Sequence, residues 1–280
     1  MTAAILAAIL AIHPLAHRAP IRTLDSGGGF SVDLPVVGRV QGATTTFFTS
    51  LDISNNTPQS TEVDFAYTPA DGSTVRSGVL GTLNGFDNLH IDDFLASLQS
   101  AGMIPPNQAA NSFGTLLLTF TNPAFHIGSE ASAVARVYSN AANGGTYGLA
   151  YRAVPMQTNG AHSLTTIIRN ANGVVSNIGI ENVGIDDSGA NSGNATVQVS
   201  FYDPASGTAV GSPQTYTLGP GQVMQLNNVF TQFGLTQDTL LVFVDEVGGT
   251  GQIRGYAVLK DANTNDGSFV FMQESKSATF

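Results

Sequence analysis

The 280-residue sequence contains neither cysteine nor tryptophan. Without cysteine, the chain can form no disulfide bond and no thiolate metal site, and it has no thiol nucleophile. Without tryptophan, and with only seven tyrosines, it has few of the amphipathic aromatic side chains that serve in recognition. The second absence weakens, without excluding, a role in carbohydrate binding.

Charged residues are also scarce, at 11% of the chain against about a quarter in an average globular protein. Ten lysines and arginines oppose twenty aspartates and glutamates, so the net charge is -10. Such a chain repels a phosphate backbone, and we predict no nucleic-acid partner. The hydrophobic fraction of 42% and the mean hydropathy of +0.10 predict a folded rather than a disordered chain.

Residues 3–12 form an apolar run of alanines, isoleucines and leucines. The run is too short to span a bilayer but suits the hydrophobic region of a signal peptide. No basic residue precedes it and no small-x-small cleavage site follows it, so a short N-terminal helix is the alternative. We assign residues 1–28 to a signal or N-terminal segment. We expect an exported protein, extracellular or on the cell surface, without a transmembrane helix.

Two parts of the sequence match each other segment by segment. Tyr67–Ser73 corresponds to Tyr202–Thr208, and Leu89–Leu95 corresponds to Met224–Phe230, in both cases 135 residues later. Further segments match in the same order at slightly different spacings: Leu51–Asn55 with Ile178–Asn182, and Thr115–Phe120 with Thr239–Val244. A spacing shared by separated segments indicates an internal repeat.

The repeat predicts two tandem domains, residues 29–155 and residues 156–280. Within the first copy, Val63, Phe65 and Tyr67 alternate with polar or small residues, which gives a β-strand one apolar face. Such strands end in reverse turns that contain proline and glycine.

One short helix is predicted in each copy. In the first copy, Asp92 or Asp93 can cap a helix whose apolar residues are Phe94, Leu95 and Leu98. In the second copy, Asn227 or Asn228 stands at the matching position. The predicted fold is all-β: two tandem immunoglobulin-like β-sandwich domains, each with one short helix.

Several segments resemble a recurring tandem module of secreted bacterial proteins. The resemblance rests on Leu34–Ala43 and Phe47–Asn55 in the first copy, and on Arg169-Asn170, Ser176–Asn182, Tyr202-Asp203-Pro204 and Met224–Phe230 in the second. It extends over residues 29–275. It implies an extracellular β-sandwich accessory module whose function is unassigned, and it carries over no functional residue.

Sequence patterns of common enzymes are not matched. Gly189–Gly193 misses the spacing of a serine nucleophile elbow by one position. The histidines lack metal-binding spacing, and His90 corresponds to Gln225 in the second copy. The adjacent Asp92 and Asp93 correspond to asparagines, so we interpret them as helix caps rather than as an acid–base pair. We predict no catalytic residue and a protein that is not an enzyme.

Calcium is the metal for which the sequence suggests ligand sets: a first at residues 261–267 and a second, weaker one of Asp186 and Asp187 with Asn191 and Asn194. Asp261, Asn263, Asn265 and Asp266 offer oxygen ligands within six residues, as Ca²⁺ prefers. The segment departs from an EF-hand loop, because glycine stands at the seventh position and Met272 at the twelfth. A hairpin turn rich in Asp and Asn is the alternative. Apart from calcium, no cofactor is predicted.

Three functions stay open on the sequence alone. The first is a structural or adhesive surface protein, whose partners would be copies of itself, other surface proteins or glycans. The second is an extracellular module that binds a glycan or a protein through its loops, and the third is a hydrolase such as a glycosidase. Residues 26–34, with glycines followed by alternating apolar residues, suggest in addition a donor strand for assembly by strand addition.

Overall fold

A computed structural model of the chain describes residues 13–14, 29–42, 45–106, 111–122, 125, 130–141, 144–156, 160–186, 189–264 and 266–275. These residues form two compact units. The first takes in the described residues up to 146 together with 150–156, and the second takes in 147–149 together with the described residues from 160 onward. The predicted signal or N-terminal segment, residues 1–28, lies outside the described residues except for 13–14.

The described part of the first unit contains ten strands and one helix. They are β1 (His13–Pro14), β2 (Phe30–Gln41), β3 (Thr46–Asn55), β4 (Thr61–Pro69), β5 (Arg76–Leu83), β6 (Asn88–Ile91), α1 (Phe94–Ser100), β7 (Ser112–Phe120), β8 (Ala131–Asn140), β9 (Thr146–Arg152) and β10 (Val154–Pro155).

The described part of the second unit contains nine strands, a short α-helix and a single 3-10 turn at Ala171–Gly173. They are β11 (Ser163–Arg169), β12 (Val174–Asn182), β13 (Ala195–Tyr202), β14 (Gln214–Leu218), β15 (Val223–Leu226), α2 (Val229–Gln232), β16 (Thr239–Gly249), β17 (Ile253–Asp261), β18 (Gly267–Phe271) and β19 (Gln273–Glu274).

The strands of both units pair in the same order. In the first unit the short pairing of β2 with β3 joins all the strands into one ten-stranded sheet. Its two parts, which we call the first and the second sheet, run β1-β5-β4-β7-β2-β10 and β6-β3-β8-β9. In the second unit the sheets run β14-β13-β16-β11-β19 and β15-β12-β17-β18. Apart from β1, each strand of the first unit has a counterpart in the second whose number is higher by nine: β2 corresponds to β11, and so on up to β10, which corresponds to β19.

The core of each unit consists of the apolar residues that alternate along its strands. In the second unit, Ile178 and Ile180 of one sheet pack with Val197, Val199 and Val242 of the other in a single buried cluster. Buried side chains from two facing sheets define a β-sandwich. The predicted all-β sandwich fold is therefore confirmed.

Helix α1 agrees in detail with its prediction. The Asp93 side chain accepts a hydrogen bond from the Ala96 backbone N–H at 3.1 Å, and Phe94, Leu95 and Leu98 are buried. Helix α2 differs from its prediction. Its first flanking residue, Asn228, makes no side-chain cap hydrogen bond and adopts a left-handed conformation (φ 46°) instead of the extended one of a helix cap. Its backbone N–H donates to the Asn177 side chain at 2.8 Å.

The donor-strand hypothesis for residues 26–34 is wrong for the part that the structure describes. Phe30 to Leu34 belong to β2 and pair with Phe120 to Leu116 of β7 within the same unit. Phe30, Val32 and Leu34 are buried in the core. The apolar alternation that suggested a free donor strand is thus the inward face of a central strand.

Candidate functional site

The predicted calcium loop forms a hairpin turn between β17 and β18. One carboxylate oxygen of Asp261 accepts hydrogen bonds from the backbone N–H groups of Asn263 (2.7 Å) and Thr264 (3.0 Å). These bonds, first that of Thr264, hold the pKa of Asp261 below its usual value. Asp266 donates its backbone N–H to the Thr264 hydroxyl, and Asn265 lies outside the described residues. Turn formation thus occupies one oxygen of Asp261, and calcium binding stays a prediction.

The described residues contain no group of three or more His, Asp or Glu side chains arranged to hold a metal ion. In the same part of the chain, no helix has the length and apolar character needed to cross a membrane.

A histidine flanked by two carboxylates lies on the solvent-facing side of the second sheet of the first unit. His90 Nδ1 is 2.6 Å from Asp52 Oδ1, and His90 Nε2 is 2.9 Å from Asp92 Oδ1. We call these three residues the His90 cluster. Only the imidazolium form can donate to both carboxylates. More than half of the His90 side chain is exposed, so the cluster lies on an open face and not in a cleft.

The same sheet face carries two stacked arginine–aromatic pairs. The Arg39 guanidinium lies 5.4 Å from the centre of the Phe48 ring, and the Arg136 guanidinium lies 5.2 Å from that of Tyr138. The two rings are themselves neighbours at 5.8 Å. Arg39 also approaches Asp93 at 3.6 Å. Of the two aspartates, Asp93 accepts the cap hydrogen bond of α1, whereas the side chain of Asp92 contacts His90.

The strand register identifies the residues of the second unit that stand at the positions of the His90 cluster. In the first unit Asp52 lies opposite His90 on one side and Val134 on the other. In the second unit Gly179 occupies the place of Asp52, between Gln225 and Tyr256. The Tyr256 ring covers Gly179, and its hydroxyl donates to Gln225 at 3.0 Å. The fold therefore does not need a charged group at this position.

The neighbouring carboxylates raise the pKa of His90 above its ordinary 6.5, Asp52 first and Asp92 second. A raised pKa stabilises the folded state below the unfolded pKa, and this stabilisation is lost as the pH rises through the folded pKa. Because the cluster is exposed, we expect it to stabilise the folded state by less than about 1 kcal/mol.

In an NMR titration, Asp52→Asn should lower the pH midpoint of His90, because it removes the nearer carboxylate, and Asp87→Asn should leave that midpoint unchanged. A wild-type midpoint at or below 6.5 would contradict this.

Among the other histidines, the structure describes the side chain of His162. His162 hydrogen-bonds Glu246 on the facing strand, and His126 lies outside the described residues. The Ser192 hydroxyl, at the failed nucleophile-elbow sequence, donates to the adjacent Gly193 carbonyl.

A buried asparagine ends β3 in the first unit and the equivalent strand β12 in the second. Asn55 Nδ2 donates to the carbonyls of Gln59 (2.6 Å), Asn84 (2.9 Å) and Leu83 (3.4 Å). Its Oδ1 accepts the Thr57 backbone N–H at 3.0 Å. The side chain thus joins two loops that are separated by almost thirty residues, a structural role that the sequence analysis missed.

The second unit repeats this asparagine. Asn182 Nδ2 donates to the carbonyls of Leu218 and Gly193, both at 3.0 Å, and its Oδ1 accepts the Gly184 N–H. Asn55 and Asn182 stand at the same place in the aligned segments of the repeat. The sequence signal for both was therefore an identical asparagine at the end of two aligned segments of the repeat.

One of the two loops joined by Asn55 exposes a phenylalanine. Residues 84–87, which we call the Phe86 loop, turn between β5 and β6, and Phe86 is 72% exposed. Its φ of 60° lies in the left-handed region, which is a rare conformation for a bulky residue. At the same point of the second unit stands Gly221, with φ 72°. The turn thus suits glycine, and the first unit has phenylalanine.

We expect Phe86→Gly to stabilise the first unit by about 1 kcal/mol, because it removes the left-handed strain of a residue that has a Cβ. Phe86→Ala keeps the Cβ and should change stability little. Urea unfolding followed by circular dichroism measures both. Equal stability of the glycine and alanine variants would show that the backbone carries no strain at this turn.

Comparisons with known proteins do not place the chain in a family. No family model matches it, and no curated protein matches it. Similar solved structures include a lectin from Pleurotus ostreatus in complex with GalNAc (10% identity, TM-score 0.19, covering 94% of this chain and 82% of the lectin). They also include the pilus backbone of Streptococcus pneumoniae (14% identity, TM-score 0.18, covering 91% and 90%). Likeness at this TM-score carries no argument about function, which must come from the residues of this chain.

Proposed function

We propose that the chain is a non-catalytic structural or adhesive protein that acts outside the cell or on its surface. The observation that supports this most is the repetition of one sandwich with one hydrogen-bond framework, while exposed residues of the first copy have buried glycines as their counterparts in the second. Asn55 and Asn182 are equivalent, whereas Asp52 and Gly179, or Phe86 and Gly221, are not. A constant framework with variable exposed residues is typical of scaffolds that present binding surfaces.

Three polar side chains that could perform chemistry have structural partners, which supports a non-catalytic role. Asp93 caps a helix, Asp261 closes a turn, and both ring nitrogens of His90 face carboxylates. His90 also lies on an exposed sheet face, where water weakens the electrostatic effects on which catalysis depends.

A bead assay tests the adhesive role. Because the chain has no cysteine, one cysteine added at the C-terminus couples every molecule to a bead in the same orientation. We expect these beads to stay, under flow, on a surface coated with polysaccharide, glycoprotein or the chain itself, while albumin-coated beads wash off. Retention no higher than that of albumin on all three surfaces would overturn the adhesive role.

Two further measurements address assembly and catalysis. Light scattering after size exclusion, with and without calcium, tests whether the chain assembles and whether the 261–267 loop takes part. A panel of glycoside and ester substrates tests catalysis. Hydrolysis of any of them by the native protein, but not by the heat-denatured protein, would overturn the non-catalytic part of the proposal.

Binding of a ligand by loops is a second candidate function, and the exposed Phe86 favours it. The fold gains nothing from this ring at this position, since the second unit forms the same turn with Gly221.

A further inference from the structure

The Phe86 loop combines exposure, strain and rigidity. Its backbone conformation is strained for phenylalanine, and strained residues persist chiefly where they serve a function. The ring makes no contribution to the core, because 72% of the residue is exposed. Among the residues that the structure describes, Phe86 combines the largest exposure of a large apolar side chain with a left-handed backbone.

The loop is held in place by its neighbour, the loop of residues 55–60. Phe86 donates its backbone N–H to the Thr57 carbonyl at 2.9 Å. A Cβ on Gly85 would lie 2.3 Å from the Pro58 carbonyl oxygen, so the two loops are in close contact. Asn55 joins them from below through Gln59 and Asn84. A ligand that stacks on Phe86 would meet a preorganised surface and would lose little binding energy to ordering it.

The chemistry of the two loops indicates the class of ligand. Residues 55–60 carry no charge and residues 84–87 carry one, on Asp87, with no lysine or arginine in either. The side chains of Asn84, Asp87 and Gln59 are exposed, and such amides and carboxylates donate to or accept from hydroxyl groups. An anionic ligand would meet Asp87 and a chain of net charge -10 without a local cation.

The size of the surface points away from a protein partner. A stable protein interface buries about 800 Å² on each side around a cluster of large anchors. Here a single ring stands among small polar side chains. We propose that the Phe86 loop binds a neutral saccharide, with the C–H face of one sugar on the Phe86 ring and its hydroxyls on Asn84, Asp87 and Gln59. The inference rests on the proposed adhesive role, to which it adds the partner.

Saturation-transfer NMR on the full chain tests the inference with cellohexaose, chitohexaose and mannohexaose, and with hexagalacturonic acid as the anionic comparison. We expect at least one neutral hexasaccharide to receive saturation at its C–H protons. Its affinity should fall about tenfold in Phe86→Gly and Phe86→Ala, which corresponds to the loss of one stacking contact. Phe86→Trp should bind as well as the wild type. Tyr147→Ala, which removes another exposed aromatic ring, should have no effect.

We expect Phe86→Gly to be more stable than the wild type. Misfolding would therefore not explain a loss of saccharide binding in this variant. Unchanged binding in Phe86→Gly, silence of all three neutral sugars, or a preference for hexagalacturonic acid would each overturn the inference. The bead assay separates this failure from failure of the adhesive role. If wild-type and Phe86→Gly beads adhere equally, the role stands and the Phe86 site is wrong. If wild-type beads do not adhere, the role itself is wrong.

Discussion

Replacing Asn182 by alanine should destabilise the second unit by about 3 kcal/mol, because it leaves buried backbone groups without partners. The Asn182 side chain satisfies the carbonyls of Gly193 and Leu218 and the N–H of Gly184. Asn182 is 0% exposed, so water cannot replace these bonds in the folded state. Urea unfolding followed by circular dichroism measures the loss.

Three further variants sharpen this test. Asn55→Ala should lower the unfolding transition of the first unit, which assigns each transition to its unit. Asn182→Asp should be as damaging as alanine at neutral pH, since a carboxylate would face two carbonyl oxygens, and it should recover in part once protonated. The exposed Asn194 provides the control, and its alanine variant should stay within about 0.5 kcal/mol of the wild type. An equally small effect of Asn182→Ala would contradict the role of this side chain.

Replacing Gly179 by alanine should cost about 3 kcal/mol through overpacking. A Cβ on Gly179 would lie 2.0 Å from Cζ of Tyr256. The Tyr256 ring cannot easily move away, because Phe269 stacks on it at 4.7 Å and its hydroxyl donates to Gln225. Burial, with a smaller effect of Glu181, raises the pKa of Tyr256 well above its ordinary value, so the phenol stays protonated as the donor.

A double-mutant cycle isolates this clash from other effects of the substitution. In a Tyr256→Val background, Gly179→Ala should cost less than about 0.5 kcal/mol, because the atoms that clash are gone. Valine is the residue that the first unit has at this register position, as Val134. Gly248→Ala is the control for alanine in a strand, since its Cβ would make an ordinary 3.8 Å contact. Additive costs of Gly179→Ala and Tyr256→Val would show that the contact is not the cause.

Much of the fold could be predicted because its signals are local. Apolar alternation at Val63, Phe65 and Tyr67 shows the inward face of a strand wherever that strand lies. Gly72 and Gly207 both have a positive φ, as predicted for the glycines of the two reverse turns. Asp93 caps α1 through a neighbour three residues away, and a local contact of this kind can be recognised without the rest of the chain.

Predictions went wrong where a local pattern fits two tertiary situations. The apolar residues from Phe30 to Leu34 suit a donor strand as well as a central strand, and pairing with β7 decides between them. Asn228 has the residue type of a helix cap, but the Asn177 side chain holds its backbone in another conformation.

The sequence by itself determined that the chain carries one β-sandwich pattern twice, with few charges and no thiol chemistry. Composition and short-range periodicity suffice for this, because they depend only on neighbouring residues. Tertiary structure alone decided that His90 faces Asp52, that Asn55 joins two loops, and that Phe86 is strained and exposed. The first two depend on residues 38 and 29 positions apart in the chain, which only the packed sandwich brings to within hydrogen-bonding distance. The third depends on a backbone angle of the folded loop.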